Sequence, residues 1–559
     1  MKILFGFHFN QAFTPYFSFV LRYSYLPLLK LMLRQNLKFT LNISGVAIRA
    51  AERNGDAGRE FLSLLQQGIS SNRFELLGST YASEIPETMG QEDLQHSILL
   101  HRGILQRVFQ CKPEAFWPSE RVYSPHLFPV YQRAGFRKIF IEQQQQPGSA
   151  RHCALTGPAG LTCLEDSRVL KEKADIWLRT GAELPLRGYL LRKRSGIFTY
   201  LEDAEAFRIW GLEDTGKKRL FEFEHLLSLF SFLRKKFEFC HPSEIIPSGS
   251  LPENPDRRQA FWLKNSFEQM SQPRFYDTGG YRNFFDFLSN SPKFKYFTEL
   301  SAKAREWIGE IANSGLRDSS LTEFLSLAEE IYCTHRFEFG CPGLYEPGKE
   351  QFEGLRWLHL FAAISGRLGK CCTGLSSGDF LKNGRDQNLF VSPSYAALIS
   401  ETGNLSCLIG FNPLRILAGD PIFSTFSGNY FESVDEINLR KELGFLKFRG
   451  NPKQYRPGSF FFSALSGTPE FVSESSGLSF TWPSGSIKYV FGSNPRLSVK
   501  LKKPSRLVNH AGLHLYIRDL SGRPVNDSIY VKTILRSGNY EIDIFTDNAF
   551  PGSSGSSQN

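Results

Sequence analysis

Long apolar runs are missing from this sequence. No stretch approaches the ~20 residues that a membrane-crossing helix requires, so no membrane partner is expected. The opening "MKILFGFHFNQAFTPYFSFVLRYSY" lacks both a continuous apolar core and a small-residue cleavage site, which argues against a signal peptide. Paired cysteines are missing as well. The nine (111, 153, 163, 240, 333, 341, 371, 372, 407) are odd in number and include no CxxC pair. They read as reduced, mostly buried thiols, neither a disulfide frame nor a zinc site, and a cytoplasmic location is expected. A nucleic-acid recognition motif is absent too. The net charge of +10 is spread along the chain, with only short clusters such as "LRKRSG" and "KLKKPSR", and describes a basic solvated surface with no nucleic-acid partner. No internal repeat, cofactor motif or metal motif is present.

What the chain has in quantity is phenylalanine, 51 of its 559 residues, enough to pack the cores of two to four domains and line a ligand groove. Over the first ~250 residues short apolar strands alternate with helical patterns, which predicts βα units and an α/β fold with a parallel sheet or barrel. Strands are expected at 2–9, 38–44, 73–79, 115–118, 138–142 and 196–201. Apolar spacing of three and four predicts a helix over 91–109. A Pro-, Gly- and Ser-rich boundary, "IPSGSLPENPD", spans 246–256. The pattern is helical from 257 to 374. From 375 to 550, short β runs separated by Gly, Asn, Pro and Ser predict an antiparallel β-sandwich. The tail 551–559 has the composition of a disordered segment.

Several of these strands end in polar or acidic residues, where barrel enzymes build their sites. "GIFTYLEDAEAFRIWG", 196–211, crowds Glu202, Asp203 and Glu205 against apolar neighbours with no Lys or Arg between them. In "FWPSERV" Glu120 follows a Trp-Pro turn. Taken singly, each acid reads as a solvated loop or helix-start residue. Together, at two strand ends of one barrel, Glu120 and Asp203 are the pair that glycoside chemistry needs, one ionised and one held protonated. Apolar residues and neighbouring carboxylates around Asp203 push its acidity in the direction a general acid requires.

Seven segments in order resemble glycoside hydrolase family 57, and within it the 4-α-glucanotransferase and α-amylase-like branch. They are "ILFGFHFNQAF" (3–13), "FELLGSTYASEIPE" (74–87), "FWPSERV" (116–122), "YLEDAEAFRIW" (200–210), "TGGYRNFFDFL" (278–288), "CTHRFEFGCPGLYEP" (333–347) and "NLFVSPSYAALISETGNL" (388–405). The resemblance implies an incomplete (β/α)7 barrel over 1–256, a helical domain over 257–374 that closes the cleft, and a C-terminal β-sandwich. It implies retaining double displacement on α-1,4-glucans, with Glu120 as nucleophile and Asp203 as acid/base. The two carboxyl groups would then lie roughly 5–5.5 Å apart. It implies no cofactor and no metal, an α-glucan or maltooligosaccharide as the partner, and a homodimer.

The binding shell departs from the family pattern. The usual His-Gln-Pro reads Asn10-Gln11-Ala12, with His8 two residues earlier as a substitute site residue or a hydrogen-bonded structural histidine. Glu84 is a contact for sugar hydroxyls or the start of the next helix. Tyr81, Trp117 and Trp210 are stacking platforms for sugar rings or core residues. A Trp-His-Gly pattern is replaced by Arg336-Phe337-Glu338, with His335 beside it as partial compensation. The rim segment at 246–260 is short for the branch. Two other readings remain: a non-catalytic glucan-binding or regulatory homologue, and a metal-dependent deacetylase on a related barrel. The deacetylase needs metal-spaced ligands, whereas His96 and His101 lie at i, i+5, about 140° apart around a helix.

Overall fold

The computed structural model describes residues 1–10, 17–122, 124–142, 154–191, 193, 196–208, 212–214, 217–250, 284–316, 318–337, 349–411, 414–418, 460–462, 465, 469–474, 477–491, 495–509, 514–519, 524–526, 532–536 and 538–545. These fall into two compact units. One comprises Met1–Tyr296, Arg336–Pro347 and Val434–Leu443, and the other Phe297–His335, Gly348–Ser433 and Gly444–Asn559.

Among the described strands of the first unit, seven are joined in sequence: β1 (Lys2–Phe9), β2 (Phe39–Ile43), β3 (Phe74–Leu77), β4 (Ala115–Phe116), β5 (Lys138–Glu142), β6 (Thr162–Asp166) and β7 (Ile197–Asp203), and the short strand Glu238–Phe239 also pairs with β1. β1 pairs in parallel with β2 on one side and β7 on the other. β2 pairs with β3, β4 with β5, and β5 with β6, all parallel. The remaining joins are short. The Trp117 amide donates to Gly78 O at 2.7 Å across β3 and β4, and the Ser167 amide to Thr199 O at 3.3 Å across β6 and β7. Hydrogen bonds therefore run from β1 through each neighbour in turn and back to β1.

Both faces of these strands are buried, which is why they read as near-continuous apolar runs. One face contributes Leu4, Leu77, Ala115, Phe140, Leu164 and Leu201 to a single buried cluster. The other face packs against helices: Phe5 stacks on Tyr200 at 4.5 Å and meets Phe39 and Phe230 edge-on, and Phe39 lies tilted against Phe230 of the helix Phe223–Leu233. The phenylalanine richness of the first unit is spent at this strand–helix layer. Gly6 is required where β1 is squeezed, since a Cβ there would lie 1.7 Å from Thr40 O and 2.9 Å from a Leu201 methyl.

The helix Gln91–Phe109 spans the predicted residues end to end. Strand β6 was not expected. Its sequence TCLED is short and ends in two acids, and the pairing with β5 is what makes it a strand. In the second unit the helices Asp318–Thr334 and Lys349–Gly369 precede two antiparallel sheets. Tyr395, Leu408, Leu478, Phe480 and Leu497, drawn from both sheets, share one core. Among the described residues no helix is long and apolar enough to cross a membrane. Of the described cysteines, 163, 240, 333 and 407 are buried, 111 is half-buried, and 371 and 372 are exposed.

Candidate active site

Alternation along each strand decides what gathers above the buried cluster. Leu4 puts His8 on the same face of β1, Leu164 does the same for Asp166 on β6, and Leu201 for Asp203 on β7. Trp117 follows β4 and joins the cluster itself. The carboxyl ends of four strands thus present His8, Trp117, Asp166 and Asp203 on one face.

Asp203 is the exposed member of this group. It lies directly beside His8 in the β1–β7 register. The protein mass around it and then the adjacent Glu202 carboxylate raise its pKa to about 6, against the smaller opposing pull of Lys171 and Arg121. Burial lowers the pKa of His8 to about 4, even though its Nδ1 meets Asn42 Oδ1 at 2.7 Å, so His8 is neutral near pH 7.

The neighbouring acids have other partners. Glu202 ion-pairs with Lys171, and its Oε1 accepts from the Asp203 amide at 3.0 Å. Lys171 reaches Asp175 at 3.1 Å, and Asp175 accepts from the Tyr200 hydroxyl at 3.0 Å. Glu205 is buried and accepts from the Tyr25 hydroxyl and, at 3.2 Å, from the Asn10 amide. The charge crowded into 202–205 is therefore sorted: two carboxylates are committed to internal partners and one faces solvent.

Glu120 lies in the 3-10 turn Ser119–Arg121, and its side chain is outside the described residues. The next residue anchors that turn. Arg121 is buried, pairs with Asp166 at 2.9 Å, donates to Leu201 O at 2.8 Å and lies 5.2 Å from the Trp117 ring centre. Trp117 in turn stacks on His8 at 5.8 Å and 11°.

The other predicted site residues have internal surroundings. Asn10 is buried and accepts from the Ser83 hydroxyl at 3.0 Å. Tyr81 is 2 % exposed, with its ring where a Gly45 side chain would otherwise stand. Glu84 is fully buried. One of its oxygens accepts from Ser97 at 2.7 Å and the other from the Ala82 amide at 2.8 Å, and burial raises its pKa. Trp210 lies outside the described residues. His335 is buried in the second unit. Arg336, in the first unit, donates to Thr88 O at 2.7 Å. His101 spends both ring nitrogens on backbone, accepting from the Ser79 amide and meeting Ile43 O. Among the described residues no cluster of three or more His, Cys, Asp or Glu is arranged to hold a metal.

Sequence reasoning missed Lys171, Asp166, Arg121 and Asn42, whose partners are remote in the chain. One backbone signal accompanies the site: Ser83, Arg121 and Arg208, within the segments 74–87, 116–122 and 200–210, hold left-handed φ of 59°, 54° and 71°. Such strain in non-glycine residues costs about 1–3 kcal/mol each and concentrates at functional sites.

Asp203 thus presents an exposed carboxyl of raised pKa at the carboxyl end of β7. Residues 10–253 match the model of Glycosyl hydrolase family 57, so the resemblance drawn from the motifs holds over that stretch. The 4-alpha-glucanotransferase from Thermococcus litoralis is similar to the chain at 14 % identity and a TM-score of 0.46, with 98 % of this chain and 97 % of that one covered. A branching enzyme of the same family from Thermococcus kodakaraensis is similar at 13 % identity and a TM-score of 0.46, covering 66 % and 90 %. An alpha-amylase from Thermotoga maritima stands at 10 % identity and 0.38, covering 68 % and 95 %. No curated protein sequence matches the chain.

Proposed function

We propose that this chain is a retaining carbohydrate-active enzyme of α-1,4-glucans, a 4-α-glucanotransferase or α-amylase-type hydrolase. The ring of seven parallel strands is read as an incomplete (β/α)7 barrel within 1–256. Helices over 257–374 and a β-sandwich over 375–550 follow it. In the first step the Glu120 carboxylate attacks the anomeric carbon while Asp203 gives its proton to the departing sugar oxygen. In the second, Asp203 takes the proton of the incoming hydroxyl as its oxygen displaces Glu120. An acceptor sugar gives transfer, and water gives hydrolysis.

The observation that carries this reading is Asp203, accessible and shifted to about 6 beside carboxylates tied up elsewhere. The test is product analysis with maltopentaose, run beside Glu120→Gln and Asp203→Asn. Longer and shorter maltooligosaccharides from the wild type, and none from either variant, support transfer; shorter ones alone support hydrolysis. A glucan-binding protein without turnover is the alternative outcome of the same experiment. It gains if maltopentaose binds and is recovered unchanged.

A further inference from the structure

Asp203 and Glu202 are consecutive residues of one strand, so they point to opposite faces. Asp203 faces the cluster side and solvent, while Glu202 faces the helix Arg168–Thr180, which supplies Lys171 and Asp175. Both oxygens of Glu202 are engaged, one by Lys171 and one by the Asp203 amide. We propose that Glu202 is a positioning residue for Asp203: Lys171 pairs with one of its oxygens, the other fixes the backbone that carries Asp203, and its charge acts through the strand on the Asp203 carboxyl. This rests on the acid/base reading of Asp203.

The surrounding groups support one sign. Burial works to raise the Glu202 pKa, and the Lys171 ammonium, by charge and by hydrogen bond, brings it below the usual glutamate value. Glu202 therefore stays negative and is the leading charged contributor to the upward displacement of Asp203. The cations Lys171 and Arg121 oppose it, with Asp175 beyond the first and Asp166 beyond the second. His8, in register on β1, is uncharged near neutrality, and Glu205 is turned to Tyr25 and Asn10. Replacing Glu202 by glutamine keeps a carbonyl acceptor for the Asp203 amide and removes the negative charge together with the Lys171 ion pair, leaving Lys171 paired with Asp175.

The experiment is carboxyl-carbon NMR titration of the full chain, with the Asp203 signal assigned by its loss in Asp203→Asn. In Glu202→Gln the Asp203 midpoint is expected to fall by about one pH unit, the size of a close-charge effect. The alkaline limb of the maltopentaose pH–rate profile should move with it. A role confined to bracing the helix would lower Tm and leave the midpoint in place, and an unmoved midpoint overturns the proposal. If Glu202→Gln does not fold, the wild type decides: an Asp203 midpoint at the ordinary aspartate value also overturns it. The titration needs no turnover, so an inactive protein with a shifted midpoint would sink only the acid/base reading.

Discussion

His8 on β1 and Asp203 on β7 are register partners in a parallel pair, so their side chains emerge on the same face of adjacent strands. One is an imidazole held neutral, the other a carboxyl held up to about 6. Neither compensates the other's charge, and Asp203 is left exposed to solvent.

The acid role proposed for Asp203 requires its proton. The value of kcat/KM for maltopentaose is therefore expected to fall about tenfold per pH unit above about 6. Asp203→Asn should be slower by roughly 10²–10⁴-fold and lose that limb. An unchanged alkaline limb in the variant would remove Asp203 from the role.

The same carboxyl should cost stability at neutral pH. Its pKa in the fold, about 6, lies above the ordinary aspartate value, so folding disfavours the charged form. Its stabilising influence is present at low pH and is lost as pH rises through about 6. Asp203→Asn is accordingly expected to raise Tm at pH 7 and leave it little changed at pH 4, as scanning calorimetry would show.

His8 and His101 run the other way. Burial lowers both to about 4, whereas the unfolded chain has them near 6.5. Between those values the unfolded state binds more protons, so stability is full above about 6.5 and drains away as pH falls to about 4. Each contributes about 3 kcal/mol to this slope. Urea unfolding of His101→Gln across that window should show a shallower dependence than wild type.

Arg121→Met would strand the Asp166 carboxylate inside the fold. Removing one partner of a buried pair costs about 3–5 kcal/mol. The loss should appear in the urea midpoint at pH 7 and shrink in acid, where Asp166 takes up a proton.

Glu84→Ala separates a sugar contact from an internal brace. Both carboxyl oxygens are occupied by Ser97 and Ala82, so the variant should lose about 1–3 kcal/mol and keep its KM. A raised KM with unchanged Tm would return Glu84 to the binding shell.

Much of this architecture was legible in the residues. The helix Gln91–Phe109 follows from its apolar spacing, and β1 and β7 from runs whose two faces are both buried. Strand β6 was hidden because five residues ending in Glu165 and Asp166 carry no period, and the β5 pairing defines them. The acids at 202–205 could be seen, but not how they are neutralised. Lys171 comes from a preceding helix and Tyr25 from the segment after β1, and no local pattern announces either. For the same reason Asn10, Tyr81 and Glu84 could be placed near strand ends without showing which way they face. A strand end fixes position, while direction depends on neighbours remote in the chain.

Arg121 binds Asp166 at the end of β6 and the Leu201 carbonyl of β7, while its own turn hangs from β4. Three strand ends are thereby triangulated by one guanidinium, one residue after Glu120. The turn that carries Glu120 is thus held by the same guanidinium that ties the ends of β6 and β7 together. A substitution at the rim that leaves Arg121 in place would therefore leave these three strand ends joined.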